Sequence, residues 1–185
     1  SKTAAFALVS QITWPLFQWL GIHPTAIWGA IFGMTWDIAG NENVLGVAKH
    51  LYTTMFMNYS TIAAGTFALA PVLSILFFSK LKQNKKITKV ALAPAIFNIS
   101  EPITFGLPII LNPIYFIPFI IVQPLCFYIA VFFTKVGFIP VVCNNVPWTV
   151  PPIISGILFT GTIAGGLVQL INLVISMAIY YPFVK

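Results

Sequence analysis

The chain alternates long apolar runs with short polar clusters. No Asp, Glu, Lys or Arg stands between Thr3 and Trp36, between Leu51 and Ser79, between Pro102 and Thr134, or between Val136 and Val184. Each run exceeds the roughly 20 apolar residues that cross a hydrocarbon core. Residues 4–20 predict a first spanning helix, interrupted by Pro15 and ended by Gly21-Ile22-His23-Pro24. Residues 25–36 are apolar but only about 12 long, the length of a re-entrant or interfacial piece. Residues 37–50 are polar and read as an aqueous surface. The second long run, 51–79, holds its best span at 61–78.

A lysine-rich loop follows. Residues 90–111 are then apolar again but carry Pro94, Pro102 and Pro108, with Asn98, Ser100, Glu101 and Thr104 among them. Proline lacks a backbone donor and blocks the preceding turn, so an unbroken helix is not expected. Broken backbone at membrane depth persists only inside protein or beside a watery cavity. Residues 88–112 therefore predict a hairpin that dips in and returns. A third span is predicted at 114–133, across Pro118 and Pro124. Residues 141–152 form a second proline-rich, polar-dotted stretch, and 153–181 predict the last span. Gly156, Gly161, Gly165 and Gly166 in that span suit close helix packing in lipid. The expected fold is an all-α integral membrane bundle with several spans and re-entrant hairpins. Long spans alternating with short interrupted ones are the pattern of a transporter-like site near the midplane.

Composition supports the bilayer as solvent. The chain is 59% hydrophobic and 6% charged, with a mean hydropathy of +0.97, against about 25% charged residues in soluble domains. The net charge is +6, Lys80, Lys82, Lys85, Lys86 and Lys89 cluster between two apolar runs, and arginine is absent. That pattern excludes a nucleic-acid partner. It marks a cytoplasmic loop beside anionic headgroups, hence a bilayer partner. Cys126 and Cys143 read as small buried hydrophobes, and neither a metal site nor a cofactor motif is expected. The chain opens on Ser1-Lys2-Thr3, as a piece of a longer protein would.

Glu101 is the only acid between Asn43 and Lys185. A carboxylate inside a membrane is costly, so it marks function by default. On a half-helix ending at Pro102, Asn98 and Glu101 would stand three apart on one face. An amide and a carboxylate together suit a sugar hydroxyl. His23, at the break after the first span, can donate and accept at once. No second metal-binding side chain stands beside it. Trp14, Trp19, Trp28, Trp36 and Trp148 suit membrane interfaces. Indole faces also pack on sugar rings, and Trp148, in a broken segment, is the stronger candidate, with Trp19 a second.

The stretch Asn98-Ile99-Ser100-Glu101-Pro102-Ile103-Thr104-Phe105-Gly106-Leu107-Pro108-Ile109-Ile110-Leu111-Asn112-Pro113 resembles the hallmark of the phosphotransferase-system sugar permeases (the EIIC components), in their lactose/cellobiose/chitobiose branch. Residues 147–156, Pro-Trp-Thr-Val-Pro-Pro-Ile-Ile-Ser-Gly, resemble a second signature, and Gly21-Ile22-His23 a third. The resemblance covers the whole chain but only the C-terminal part of a family member. It implies that residues 1–185 form one substrate-binding transport domain with two re-entrant hairpins, moving against an N-terminal dimerisation domain that is absent here. It also implies a homodimer in the full-length protein and a multi-pass place in the bacterial plasma membrane. By the same resemblance Glu101 and His23 bind hydroxyls near the phosphorylated position, and Trp148 packs on the sugar. Pro24 departs from the family's usual glycine, and Tyr59-Ser60-Thr61-Ile62-Ala63-Ala64-Gly65 departs from its Gly-rich run.

The implied activity is binding and inward transport of a β-linked disaccharide such as cellobiose, chitobiose or lactose. Phosphorylation of its C6 hydroxyl is coupled to transport through a phosphocysteine on a partner EIIB protein, so the chain is a transport component and the donor cysteine lies elsewhere. Glu101 and His23 are the candidate catalytic groups. Glu101 serves either as base or only as a hydrogen-bonding ligand. Two other classes stay open: an ion- or proton-coupled carrier with Glu101 as the proton site, and a membrane scaffold.

Overall fold

The computed structural model describes residues 4–107 and 109–185. Ser1–Thr3 and Pro108, the last of the three hairpin prolines, lie outside the described residues. All regular structure among the described residues is helical. The elements are α1 (Ala4–Trp19), α2 (Pro24–Trp28), a π-turn (Gly29–Gly33), α3 (Met34–Val44), α4 (Thr54–Met57), a second π-turn (Asn58–Ile62), α5 (Leu69–Phe78), α6 (Lys82–Ile96), α7 (Glu101–Gly106), α8 (Pro113–Lys135), α9 (Ile154–Thr160) and α10 (Ile163–Val184).

Among the described residues, two helices, α8 and α10, are long and apolar enough to cross a membrane. α8 is hydrophobic all round, burying Phe119, Val122 and Phe127 while exposing Ile117, Ile121 and Phe132. Pro118 and Pro124 lie inside it without ending it. α10 packs on α5, α8 and α9, α1 packs on α8, and α5 on α6. One core gathers Ile75, Ile103, Phe119 and Tyr180. A second gathers Phe56, Tyr59, Phe127 and Phe159.

The hairpin expected over 88–112 is present, with a longer first arm. α6 begins at Lys82, so four of the lysines sit on helix rather than loop. Lysine is a good helix former, and its charge said nothing against helix. α7 folds back on α6 so closely that a Cβ on Gly106 would lie 3.1 Å from Ile87.

Three expectations need correction. The piece predicted at 25–36 runs on as helix through the first π-turn to Val44, taking in much of the polar segment. The span predicted at 61–78 is broken before Leu69. Gly65 takes φ +72 there, and a Cβ on it would lie 3.0 Å from both Leu69 and Pro152. The last span is split, because Gly161 caps α9 at φ +67, the left-handed ending that glycine adopts at least cost.

Breaks at membrane depth need partners for their backbone groups. Side-chain amides of α10 supply them at the second π-turn. Gln169 Nε2 donates to Tyr59 O at 2.9 Å and Asn172 Nδ2 to Ser60 O at 3.0 Å. Gln169 Oε1 accepts from Ile153 N at 2.8 Å and Ser155 Oγ at 2.9 Å. One buried amide thereby fixes the π-turn against the start of α9.

Candidate functional site

The broken segments converge on one cavity of about 330 Å³. Such a volume falls at the small end of the range for ligand sites. His23, Asn98, Glu101 and Trp148 all line it. His23 comes from the extended link between α1 and α2, where Gly21 at φ +80 turns the chain and Pro24 starts the next helix. Glu101 is the first residue of α7, followed by Pro102, a position where the helix favours an acid. His23 and Glu101 are both exposed, and Trp148 is 44% exposed.

Asn98 does not share a half-helix with Glu101, as its spacing suggested. It lies in the turn between α6 and α7 with φ +63, a conformation asparagine tolerates better than most residues. From there its Nδ2 donates to Trp148 O at 2.8 Å and Val150 O at 2.9 Å. The hairpin tip and the segment carrying Trp148 are thus tied together. Asn98 Oδ1 is buried without a hydrogen-bond partner. Buried acceptors are rarely left unmet, and this one faces the backbone of Gly65, 3.7 Å from where a Cβ would stand.

Trp19 is not brought to this cavity. Its Nε1 donates to Asn112 O at 3.3 Å, and its ring meets Phe116 edge-on at 4.8 Å. It braces the end of α1 against the start of α8. Conversely, Trp14, Gln18, Thr25, Thr54, Asn58 and Ser100 line the cavity without having been singled out as sugar ligands. Trp14 and Gln18 stand four apart on α1, a spacing that puts both on one face. Asn58 and Thr54 come from the second π-turn and the short helix before it.

The cavity offers a carboxylate, an imidazole and an indole, flanked by Asn58 and small hydroxyls. That set can hold a polyol by its hydroxyls and by the C–H face of its ring. Among the described residues no cluster of His, Cys, Asp and Glu could hold a metal ion.

Comparison with known proteins gives this site its setting. The model of the family described as "Phosphotransferase system, EIIC" matches residues 1–122, which include His23, Asn98 and Glu101. The oligo-β-mannoside-specific EIIC component of Bacillus subtilis (strain 168) is 37% identical over 183 residues, covering 95% of this chain and 40% of that protein. The cellobiose-specific EIIC component of Geobacillus stearothermophilus is 36% identical over 187 residues, covering 96% of this chain and 42% of that protein. The crystal structure of the transporter ChbC, the IIC component from the N,N'-diacetylchitobiose-specific phosphotransferase system, superimposes with a TM-score of 0.91 at 30% identity, over 100% of this chain and 44% of that one. The chain therefore spans roughly two fifths of the length of the relatives it matches. On the family match, the identities and the shared all-helical fold together, the chain belongs to the EIIC family of the phosphotransferase system.

Proposed function

We propose that these 185 residues are the transport domain of a β-glycoside permease in a bacterial plasma membrane, and that the 330 Å³ cavity holds the sugar. One observation carries the reading: His23, Asn98, Glu101 and Trp148, from separate broken segments, line one cavity. Relatives named for cellobiose, lactose and diacetylchitobiose support a β-linked disaccharide as the substrate class. A staphylococcal relative named as a lactose-specific EIICB component supports an EIIB partner. Dimerisation, in this reading, belongs to the additional length of the relatives.

The chemistry follows from the groups present. Trp148 offers a flat apolar face to the ring. Glu101 and His23 take its hydroxyls, and Asn98 holds the segment carrying Trp148 beside them. The C6 oxygen attacks phosphorus, the P–S bond to the partner's cysteine breaks, and the thiolate leaves. Transfer of this kind depends mainly on positioning and charge. The hydroxyl proton passes to the Glu101 carboxylate if that group acts as base.

A Glu101→Gln variant of the full-length permease tests both the site and the role. Lost phosphorylation with retained sugar binding assigns the base role, and loss of both assigns a ligand role. Unchanged binding and phosphorylation would overturn the site. Sugar uptake that needs a pH gradient and no phosphoryl donor would replace the whole reading with a proton-coupled carrier.

A further inference from the structure

A second cavity, of about 160 Å³, opens beside the first and shares Trp14, Thr25, Thr54 and Asn58 with it. None of His23, Asn98, Glu101 or Trp148 lines it. Its other walls include the indoles of Trp28 and Trp36 and the carboxylate of Asp37. Phe6 meets both indoles edge-on, at 6.3 Å and 6.2 Å between ring centres, which holds the two planes in place.

The space is kept by missing side chains. Gly29 and Gly33 bound the first π-turn, and both line the cavity. Their backbones are ordinary right-handed helix, with φ −61 and −51. A Cβ would approach nothing nearer than 3.9 Å at Gly29 and 4.0 Å at Gly33. Neither conformation nor packing demands glycine, and glycine is a poor helix former. The contrast is Gly156, where a Cβ would lie 2.6 Å from Gly165 O. At Gly29 and Gly33 the absent side chains preserve a void. Both cavities, moreover, are bordered by π-turns, a feature frequent at functional sites.

We infer that this cavity is a second subsite, taking the ring attached on the anomeric side of the sugar held by Glu101, either a second pyranose or an aryl aglycone. Three indoles give apolar faces for such a ring, and Asp37 accepts from a hydroxyl at its edge. The inference rests on the sugar-binding reading above. It makes Gly29 and Gly33 determinants of substrate length.

The test compares ligands on the full-length permease. Phenyl β-glucoside and cellobiose should each bind about tenfold or more tightly than methyl β-glucoside, the scale of filling an apolar pocket. Gly33→Leu, which fills the cavity, should abolish that preference while leaving methyl β-glucoside binding unchanged. Gly33→Ala, which adds one methyl group without a collision, should reduce it in part and serves if the larger change impairs folding. Equal affinity for all three glycosides in the unmodified protein would overturn the second subsite and leave the sugar site standing. An undiminished preference in the filled variant, or an equal loss for every ligand, would overturn it too. No binding of any glycoside would defeat the sugar reading itself.

Discussion

The side-chain amide of Asn98 donates to the backbone carbonyl of Trp148 at 2.8 Å, across 50 residues of chain. The same nitrogen reaches Val150 O. A polar residue expected to bind ligand therefore spends its donors on architecture, and its acceptor is buried. Asn98→Ala should leave two carbonyls unmet, at about 1–3 kcal/mol for each one that stays buried. We expect a loss of about 2–4 kcal/mol in detergent unfolding, together with weakened sugar binding. Asn98→Asp keeps the shape but turns oxygen toward oxygen, and should fare no better.

Trp148 and Trp19 separate binding from bracing. Trp148 is 44% exposed, so Trp148→Ala should change folding stability by under about 0.5 kcal/mol. Its sugar affinity should fall about tenfold, with Trp148→Phe intermediate. Trp19→Phe removes one long hydrogen bond to Asn112. It should cost about 0.5–1 kcal/mol of stability and leave sugar affinity intact. Paired unfolding and titration measurements on the full-length permease check both.

The parts of the fold legible in sequence are those where polarity and periodicity carry the information. α8 is an uninterrupted apolar run with Lys135 at its end, and the α6–α7 hairpin announces itself through Pro94 and Pro102. The breaks at Gly65 and Gly161 are not legible. A glycine in an apolar run reads alike whether it packs a helix, as Gly156 does, or turns the chain at positive φ. At Gly65 the turn packs against Pro152, 87 residues away, and local sequence does not record that. The site follows the same rule. Glu101 and Asn98 stand out as polar residues among apolar ones. Trp19 looks like any other indole, because its partner Asn112 lies 93 residues on. The cavity behind Gly29 and Gly33 is an absence of side chains, which composition cannot display.

Gln169 connects the second π-turn to the start of α9. Its amide serves Tyr59 O, Ile153 N and Ser155 Oγ. Hydrogen bonds between membrane helices average about 0.6 kcal/mol each, so three give about 2 kcal/mol. Gln169→Leu should lower stability by at least that, since the polar atoms left behind stay buried. It should also loosen the segment carrying Trp148, raising the sugar dissociation constant. Gln169→Glu keeps the acceptor for Ile153 and Ser155 and should lose less than Gln169→Leu. Thermal unfolding in detergent, with sugar titration beside it, measures both effects.

The central claim is that the cavity shared by His23, Asn98, Glu101 and Trp148 is where sugar sits. A structure of the full-length permease at saturating cellobiose tests this most directly. A pyranose ring over the Trp148 indole, with hydroxyls within about 3.2 Å of Glu101 and His23, is the predicted result. Cellobiose bound elsewhere, with this cavity empty, would contradict it.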